Sequence, residues 1–448
     1  MDILNYEQKL YNLLLNHING KYKIEEYLDL LEYENSSILN YILSHAYYST
    51  DDLINADKYR EKAVNLNSNY EFEADYTNIT AYIYMMFCTI TTHINPFMDD
   101  EIETILGNNP SESDYMNASD AYRKINDISN AVRINNIGQN KFPNSSSLKY
   151  DLASNLLYTR NFDKAWEFNE LRFDAVRDKL PQYINKPKFL LQKTSAKVYI
   201  YPVTKIGDTI FFTRYLFKLK EDYPNLKLFA SPDNNLQQLF EENGIRTYEK
   251  PDKSMIDYQI SFEGLPYLYK DNGSKILSDG YLKANEKKSA QYKEQYFKNS
   301  KLKVGVVWRT SNSGDKRNIP IEIFKEIFKI KDIQFYSLER DINLQEEIVI
   351  TPNLIPNLGV KLKDFSDTAA MLDNLDIVVG CDTSVTNLAG AMGKKTLIIL
   401  PYNADWRWGL FEQKCEWYKS VELFRQKRNN DYNEVINRVK TYLEKTVS

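Results

Sequence analysis

The chain has few of the side chains on which most familiar catalytic machinery depends. Its three histidines, His17, His45 and His93, all fall in the N-terminal third. Within the remainder this excludes a Ser-His-Asp triad, a His-activated cysteine and a His-ligated zinc hydrolase, each of which needs imidazole as base or ligand. Proton transfer there is left to a carboxylate or a tyrosine. Cysteine is equally scarce. Cys88, Cys381 and Cys415 are odd in number and far apart, which fits neither a disulfide framework nor a CxxC site and points to a reducing cytoplasm. Walker A, GxGxxG and Asp-x-Asp motifs are all missing, so any nucleoside phosphate has to be neutralised by Lys, Arg and helix N-termini, and no metal or other cofactor is expected. Lys plus Arg (57) is balanced by Asp plus Glu (62), without the basic excess that nucleic-acid binding demands. The opening MDILNYEQKLYN lacks the basic head and apolar run of a signal peptide. Residues 76–98 carry no Asp, Glu, Lys or Arg, yet Thr77, Asn78, Thr80, Thr91, His93, Asn95 and Pro96 make them too polar for a bilayer. A buried helix is expected there, and no integral membrane segment.

What is present divides into three parts, as 448 residues exceed one ordinary core. Over residues 1–185 apolar side chains recur at spacings of three and four, which predicts helix packed on helix. Two stretches resemble tetratricopeptide repeats. Ser44, Tyr47, Ala56 and Ala63 supply the small and aromatic positions of one, and Ala153, Leu156 and Ala165 those of a second, with Arg160 and Asn161 in its turn. An all-helical domain that merely packs in hairpins is the alternative.

After Lys186 short apolar runs alternate with helical segments. KVYIYPV, IFFTRYLFKLKEDY, KLFAS, NNLQQLFEENG and IRTYEK read as βαβαβ, and a polar helix and connector follow over 279–300. KVGVVWRT, IPIEIFKEIFKI, IQFYSLER, DTAAMLDNL, DIVVGCDT, NLAGAMG and TLIILPY then form a second α/β series. The expected architecture is α + α/β: a helical repeat domain over 1–185, and two Rossmann-like lobes over 186–298 and 299–448. The last helix has the option of packing back on the first lobe. In such sheets ligands bind off the carboxyl ends of the strands, so residues there carry the functional candidates.

Gly207, Asp208 and Thr209 follow the first strand and open a helix. Asp208 stands either as a general base for an attacking hydroxyl or as a plain cap. Trp308, Arg309 and Thr310 lead into a polar loop whose Lys316 and Arg317 either pair with a diphosphate or form a solvated charged turn. Asp382, Thr383 and Ser384 run into a helix rich in small residues. The hydroxyls and free N–H groups make an anion site, and Ala389, Gly390, Ala391 and Gly393 serve packing. Trp406, Arg407 and Trp408 lie in the loop after the last strong strand, facing a sugar, base or peptide, or sealing the seam between lobes.

Taken in order, KIGDTIFFTRYL, VGVVWRT…GDKRNIP, QFYSLER, LKDFSDTAAMLDNLDIVVGCDTSVTNLAGAMGKK and LPYNADWRW resemble the heptosyltransferase-like glycosyltransferases, and in particular their bacterial branch with tetratricopeptide repeats ahead of the transferase. The resemblance implies a GT-B fold and an inverting, metal-independent transfer from a nucleotide sugar held mainly by the C-terminal lobe. It implies Asp208 as general base, Lys316 and Arg317 near the donor phosphates, Asp382, Thr383 and Ser384 as the phosphate loop, and Ser337, Leu338 and Glu339 near the nucleoside. It also implies a polypeptide acceptor, flagellin-like in some relatives, presented by the repeats; a surface glycan or lipid-linked sugar is the alternative acceptor. Asn387 departs from the His that relatives place there and cannot carry charge. That departure keeps open a weakened, nucleotide-binding interaction protein.

Overall fold

The computed structural model describes residues 9–10, 12–14, 16–17, 21–33, 35–66, 76, 79, 83, 109–124, 126–175, 186–191, 195–248, 252–269, 280–312, 314–410, 413–427 and 431–447. The helix expected over 76–98 lies outside them, apart from three positions. The chain forms two compact units, one of Met1–Thr159 with Leu171–Arg177, the other of Arg160–Glu170 with Asp178–Ser448. Among the described residues no helix is long and apolar enough to cross a membrane.

The first unit is helical: α1 (Ile24–Tyr33), α2 (Ser37–Tyr48), α3 (Leu53–Leu66), α4 (Glu112–Lys124), α5 (Ile128–Lys141) and α6 (Ser146–Tyr158). Side-chain caps set several starts. Ser36, Asp127 and Ser145 each accept the N–H three residues on, at 3.1 Å. In the α2–α3 hairpin Ser44, Ala56 and Ala63 are buried and Tyr47 stacks on Tyr59 with centroids 5.4 Å apart. The small residues let the two backbones approach. Asp51, Asn126 and Arg160 turn their hairpins with φ of 60°, 64° and 60°, the left-handed region that ends a helix sharply.

The second hairpin is divided between the units. Helix α7 (Phe162–Asn169), which carries Ala165, belongs to the second unit, while Leu171–Arg177 after it belongs to the first. The cause is aromatic: Phe162 packs on Trp417, and Trp166 on Phe212 and Trp406.

The rest of the second unit contains two parallel sheets. β1 (Lys197–Tyr201), α8 (Ile206–Asp222), β2 (Lys227–Ala230), α9 (Asn234–Glu242) and β3 (Tyr258–Ser261) make a three-stranded sheet of order β2-β1-β3. IRTYEK is not its third strand. That stretch makes only an isolated bridge, Ala230 to Thr247, because Ile245 is its one buried apolar residue, whereas Gln259, Ile260 and Ser261 of β3 are all buried. Helix α10 (Glu286–Tyr296) then leads to the second lobe: β4 (Leu302–Val307), β5 (Ile333–Ser337), α11 (Leu344–Ile350), α12 (Phe365–Asp373), β6 (Ile377–Cys381), α13 (Ser384–Ala391), β7 (Thr396–Leu400), β8 (Val421–Arg425) and α14 (Tyr432–Val447), with sheet order β5-β4-β6-β7-β8.

The final helix does not return to the first lobe. Tyr432, Val435, Ile436, Val439 and Leu443 join the core built by Val304, Phe335, Leu397 and Phe424, so the apolar stripe of α14 is satisfied by the second lobe alone. Strand order reverses at β1 in one sheet and at β4 in the other, with β6 beside it. The loops after β1, β4 and β6 therefore flank the two topological switch points, where open α/β sheets bind ligands.

Candidate active site

One wall of the crevice is the turn after β1. Glu263, buried beyond the end of β3, accepts the N–H groups of Val203 (3.1 Å) and Thr204 (3.0 Å) and the Thr204 hydroxyl (2.7 Å). This fixes the turn before α8 begins. Asp208 then sits in the first turn of α8, where one carboxylate oxygen, Oδ2, accepts the Lys205 N–H at 3.3 Å. The cap reading is thus present but long. The other oxygen, Oδ1, accepts a hydrogen bond from the Arg407 guanidinium. Thr209 is buried and turns its hydroxyl to the Lys205 carbonyl, closed off from any acceptor.

The opposite wall comes from the second lobe. Thr383 caps α13 reciprocally with Thr386, while Ser384, half-buried, opens the helix. A Cβ on Gly207 would lie 3.7 Å from Ser384 Cα and 3.8 Å from Asn387 Nδ2, so the first turns of α8 and α13 meet directly. Asn387 gives its amide to Asp382 Oδ1 (3.1 Å) and the Thr383 carbonyl (2.9 Å), and its own Oδ1 is buried with no hydrogen-bond partner among the described residues. From the loop after β4, Arg317 is held by Asp315 (2.9 and 2.6 Å) and donates to the Asp382 carbonyl at 3.0 Å. Lys316 is exposed and reaches Asn403 at 3.2 Å.

Charge converges on Arg407. Its Nε donates to Asp405 at 2.8 Å, its Nη1 to Asp208, and Asp382 lies within its field. Burial works against the Arg407 charge, but Asp405, Asp208 and Asp382 outweigh it and hold the guanidinium above its ordinary pKa. Burial pushes the Asp382 carboxyl up against the pull of Arg407 and Arg317. The hydrogen bond to Asp315 raises Arg317, and the field of Asp382 adds to it.

The structure thus unites Asp208, Arg317, Asp382 and Arg407 in one network, with Gly207, Thr383, Ser384 and Asn387 beside it. Other candidates lie elsewhere. Trp308 is core: its indole donates to Glu346 at 2.7 Å and packs on Phe324. Arg309 pairs with Glu346 at 2.8 Å, and Thr310 bonds within its own loop, to Asn318 and Asn312. Ser337 and Leu338 are sealed inside the lobe. Glu339 accepts the N–H groups of Trp308 (2.7 Å) and Arg309 (2.9 Å) in a site whose burial pushes its carboxyl up to about 7. Trp408 is buried against Tyr418, and Trp406 packs on Trp166, Phe211 and Trp417. Both tryptophans pack in the seam between the lobes. Asp315, Asp405 and Glu263 were not singled out as site residues from the sequence. Asp405 and Asp315 carried a legible signal, since each stands two residues before the arginine it holds.

No protein-family model matches the chain. FlbA of Caulobacter vibrioides is 23% identical over 334 residues, 66% of this chain and 54% of FlbA, so the chain spans about half the length of that relative. Among solved structures, a family 9 glycosyl transferase from Veillonella parvula aligns with a TM-score of 0.40 at 11% identity, covering 55% of this chain and 91% of that one. The ADP-heptose lps heptosyltransferase II of E. coli aligns with a TM-score of 0.40 at 11% identity, covering 56% and 98%. Likenesses this distant transfer no activity to the chain.

Proposed function

We propose that the chain is a nucleotide-sugar-dependent glycosyltransferase of GT-B type, inverting and metal-independent, with a protein side chain as acceptor. The observation that carries this reading is the apposition, at the carboxyl ends of two parallel sheets, of a carboxylate on one lobe and an anion-binding wall on the other. Gly207 faces Ser384 and Asn387, Asp208 follows it in the same turn, and Arg317 and Lys316 come from the loop after β4. The donor diphosphate lies against Lys316, the Ser384 hydroxyl and the free N–H groups of α13. Asp208 removes the proton of the acceptor hydroxyl as its oxygen bonds to the anomeric carbon, and the bond from that carbon to the phosphate oxygen breaks with inversion. The nucleoside diphosphate leaves with a charge that Lys316 and Arg317 stabilise. The unpartnered Asn387 oxygen offers an acceptor for a sugar hydroxyl.

The polypeptide acceptor rests on the helical unit. The left-handed turn residues Asn126 and Arg160 recur 34 positions apart, the period of a tetratricopeptide array, whose stacked hairpins form a concave peptide-binding surface. A reducing cytoplasm fits Cys381 and Cys415, which are free and buried. A second reading, a nucleotide-binding interaction protein without turnover, draws on Arg407 already occupying Asp208 and on Asn387.

Thermal shift and calorimetry against UDP, GDP, ADP and CMP and their sugars, ADP-heptose included, test the proposal, because a ligand of the folded site raises its stability. Stabilisation by one nucleotide family, lost when Lys316 and Arg317 are both changed to Ala, supports the donor site. Silence across the panel removes it.

A further inference from the structure

We propose that Arg407 is the positioning residue for Asp208, holding the base from across the crevice and presenting its second oxygen to the acceptor; this rests on the reading of Asp208 as base given above. The short 3₁₀ turn Trp406–Trp408 that carries Arg407 is fixed at both ends. Arg160 donates to the Trp406 carbonyl at 3.0 Å, and Arg425 donates to the carbonyls of Trp408 (3.0 Å) and Gly409 (2.7 Å). Asp405 accepts the Arg407 backbone N–H at 3.0 Å and its Nε at 2.8 Å, which sets the side-chain direction before any ligand arrives. Only then does Nη1 reach Asp208 Oδ1 on the other lobe.

A carboxylate gripped through one oxygen by a planar, prefixed guanidinium has little freedom to rotate, and pre-organisation of this kind is what a near-attack geometry requires. Among the described residues the grip leaves Oδ2 with only the long 3.3 Å bond from Lys205. That oxygen takes the acceptor proton, while Arg407 keeps Oδ1 throughout. The long side chain reaches the base from a loop 199 positions away in sequence. A lysine there supplies charge without the fork that sets both Asp405 and Asp208.

The test uses the full chain and its responding donor, with Arg407→Gln, Arg407→Lys and Arg407→Ala. The expected result is a fall in kcat of at least tenfold for Arg407→Gln, and a smaller fall for Arg407→Lys. Donor Kd by calorimetry stays within threefold of the unmodified chain in both, and millimolar guanidinium chloride restores several-fold activity to Arg407→Ala. A merely structural role does not respond to guanidinium. The proposal is overturned by a kcat for Arg407→Gln within twofold of the original, by a donor Kd that rises as far as kcat falls, or by absence of rescue. If the unmodified chain turns over no donor at all, the functional reading falls separately, and melting decides the pair. Sub-additive shifts in Tm for Asp208→Asn and Arg407→Gln support the grip, and additive shifts overturn it.

Discussion

Two buried arginines cross the same seam in opposite directions and share the Phe211 ring, at 4.3 Å for Arg214 and 5.5 Å for Arg407, yet their polar partners differ. Arg214 leaves α8 and enters the second lobe, where it donates to the Trp417 carbonyl at 2.9 Å, among the rings of Phe211 (4.3 Å), Tyr418 (4.6 Å), Tyr281 (5.2 Å) and Trp417 (5.6 Å). Arg407 comes from the second lobe and meets the first turn of the same helix, among Asp405, Asp208 and Asp382. Burial opposes both charges; Arg214 is met by a carbonyl, ring faces and the neutral Tyr281 hydroxyl, Arg407 by carboxylates. Rings and carbonyls offer nothing that a substrate exchanges for, so Arg214 is a static pin. Carboxylates can be shared with an acceptor proton, so Arg407 lies where chemistry can use it. One seam therefore holds one arginine packed among rings and another bound by carboxylates.

Substitution should break that contrast cleanly. Under the proposed function, Asp208→Asn should lower kcat by about 10³, within the range of a lost general base, with donor Kd unchanged. Steady-state kinetics beside calorimetry will read both. Arg214→Met should do the reverse. Losing the guanidinium leaves the Trp417 carbonyl and four rings without their cation, at a cost of about 3 kcal/mol in urea unfolding, with kcat per folded molecule near the original.

Glu339 extends the comparison to a buried carboxylate with no paired oxygen-to-guanidinium bond. Burial raises it from 4.5 to about 7, against the N–H groups of Trp308 and Arg309. Between those values the folded chain binds more protons than the unfolded one, so stability falls as pH rises from 4.5 to 7, by up to roughly 3 kcal/mol. Glu339→Gln keeps the acceptor for those N–H groups and should flatten the difference in urea midpoint between pH 5 and pH 8. The smallest effect expected is that of Ser384→Ala, a weakening of donor binding by about tenfold, the low end for one hydrogen bond to a charged group.

Much of this division was written in local sequence. KVYIYPV followed by Lys205-Ile206-Gly207-Asp208, and DIVVGCDT followed by Ser384, are continuous apolar runs that meet a helix start, and both became strand, turn and helix as expected. The pieces that misled were those whose fate depends on distant partners. An aromatic loop reads alike whether it lines a ligand or a seam, and Trp406 was decided by Trp166, from a helix 240 positions earlier. The amphipathic pattern of Tyr432–Val447 fits any apolar face, and only the open core of the second lobe chose among them. Tyr258–Ser261 is too short, and Val421–Arg425 too broken by Glu422, to stand out as strands, yet register against β1 and β7 makes both. The grip of Arg407 on Asp208 had no local signature at all.

The most direct test of the account is the release of nucleoside diphosphate from the responding nucleotide sugar by the purified chain, followed with and without acceptor polypeptide. Transfer predicts release that tracks acceptor one for one and is nearly absent without it. Conversion of the donor into another nucleotide sugar with no acceptor present, or no release under any condition, would contradict it.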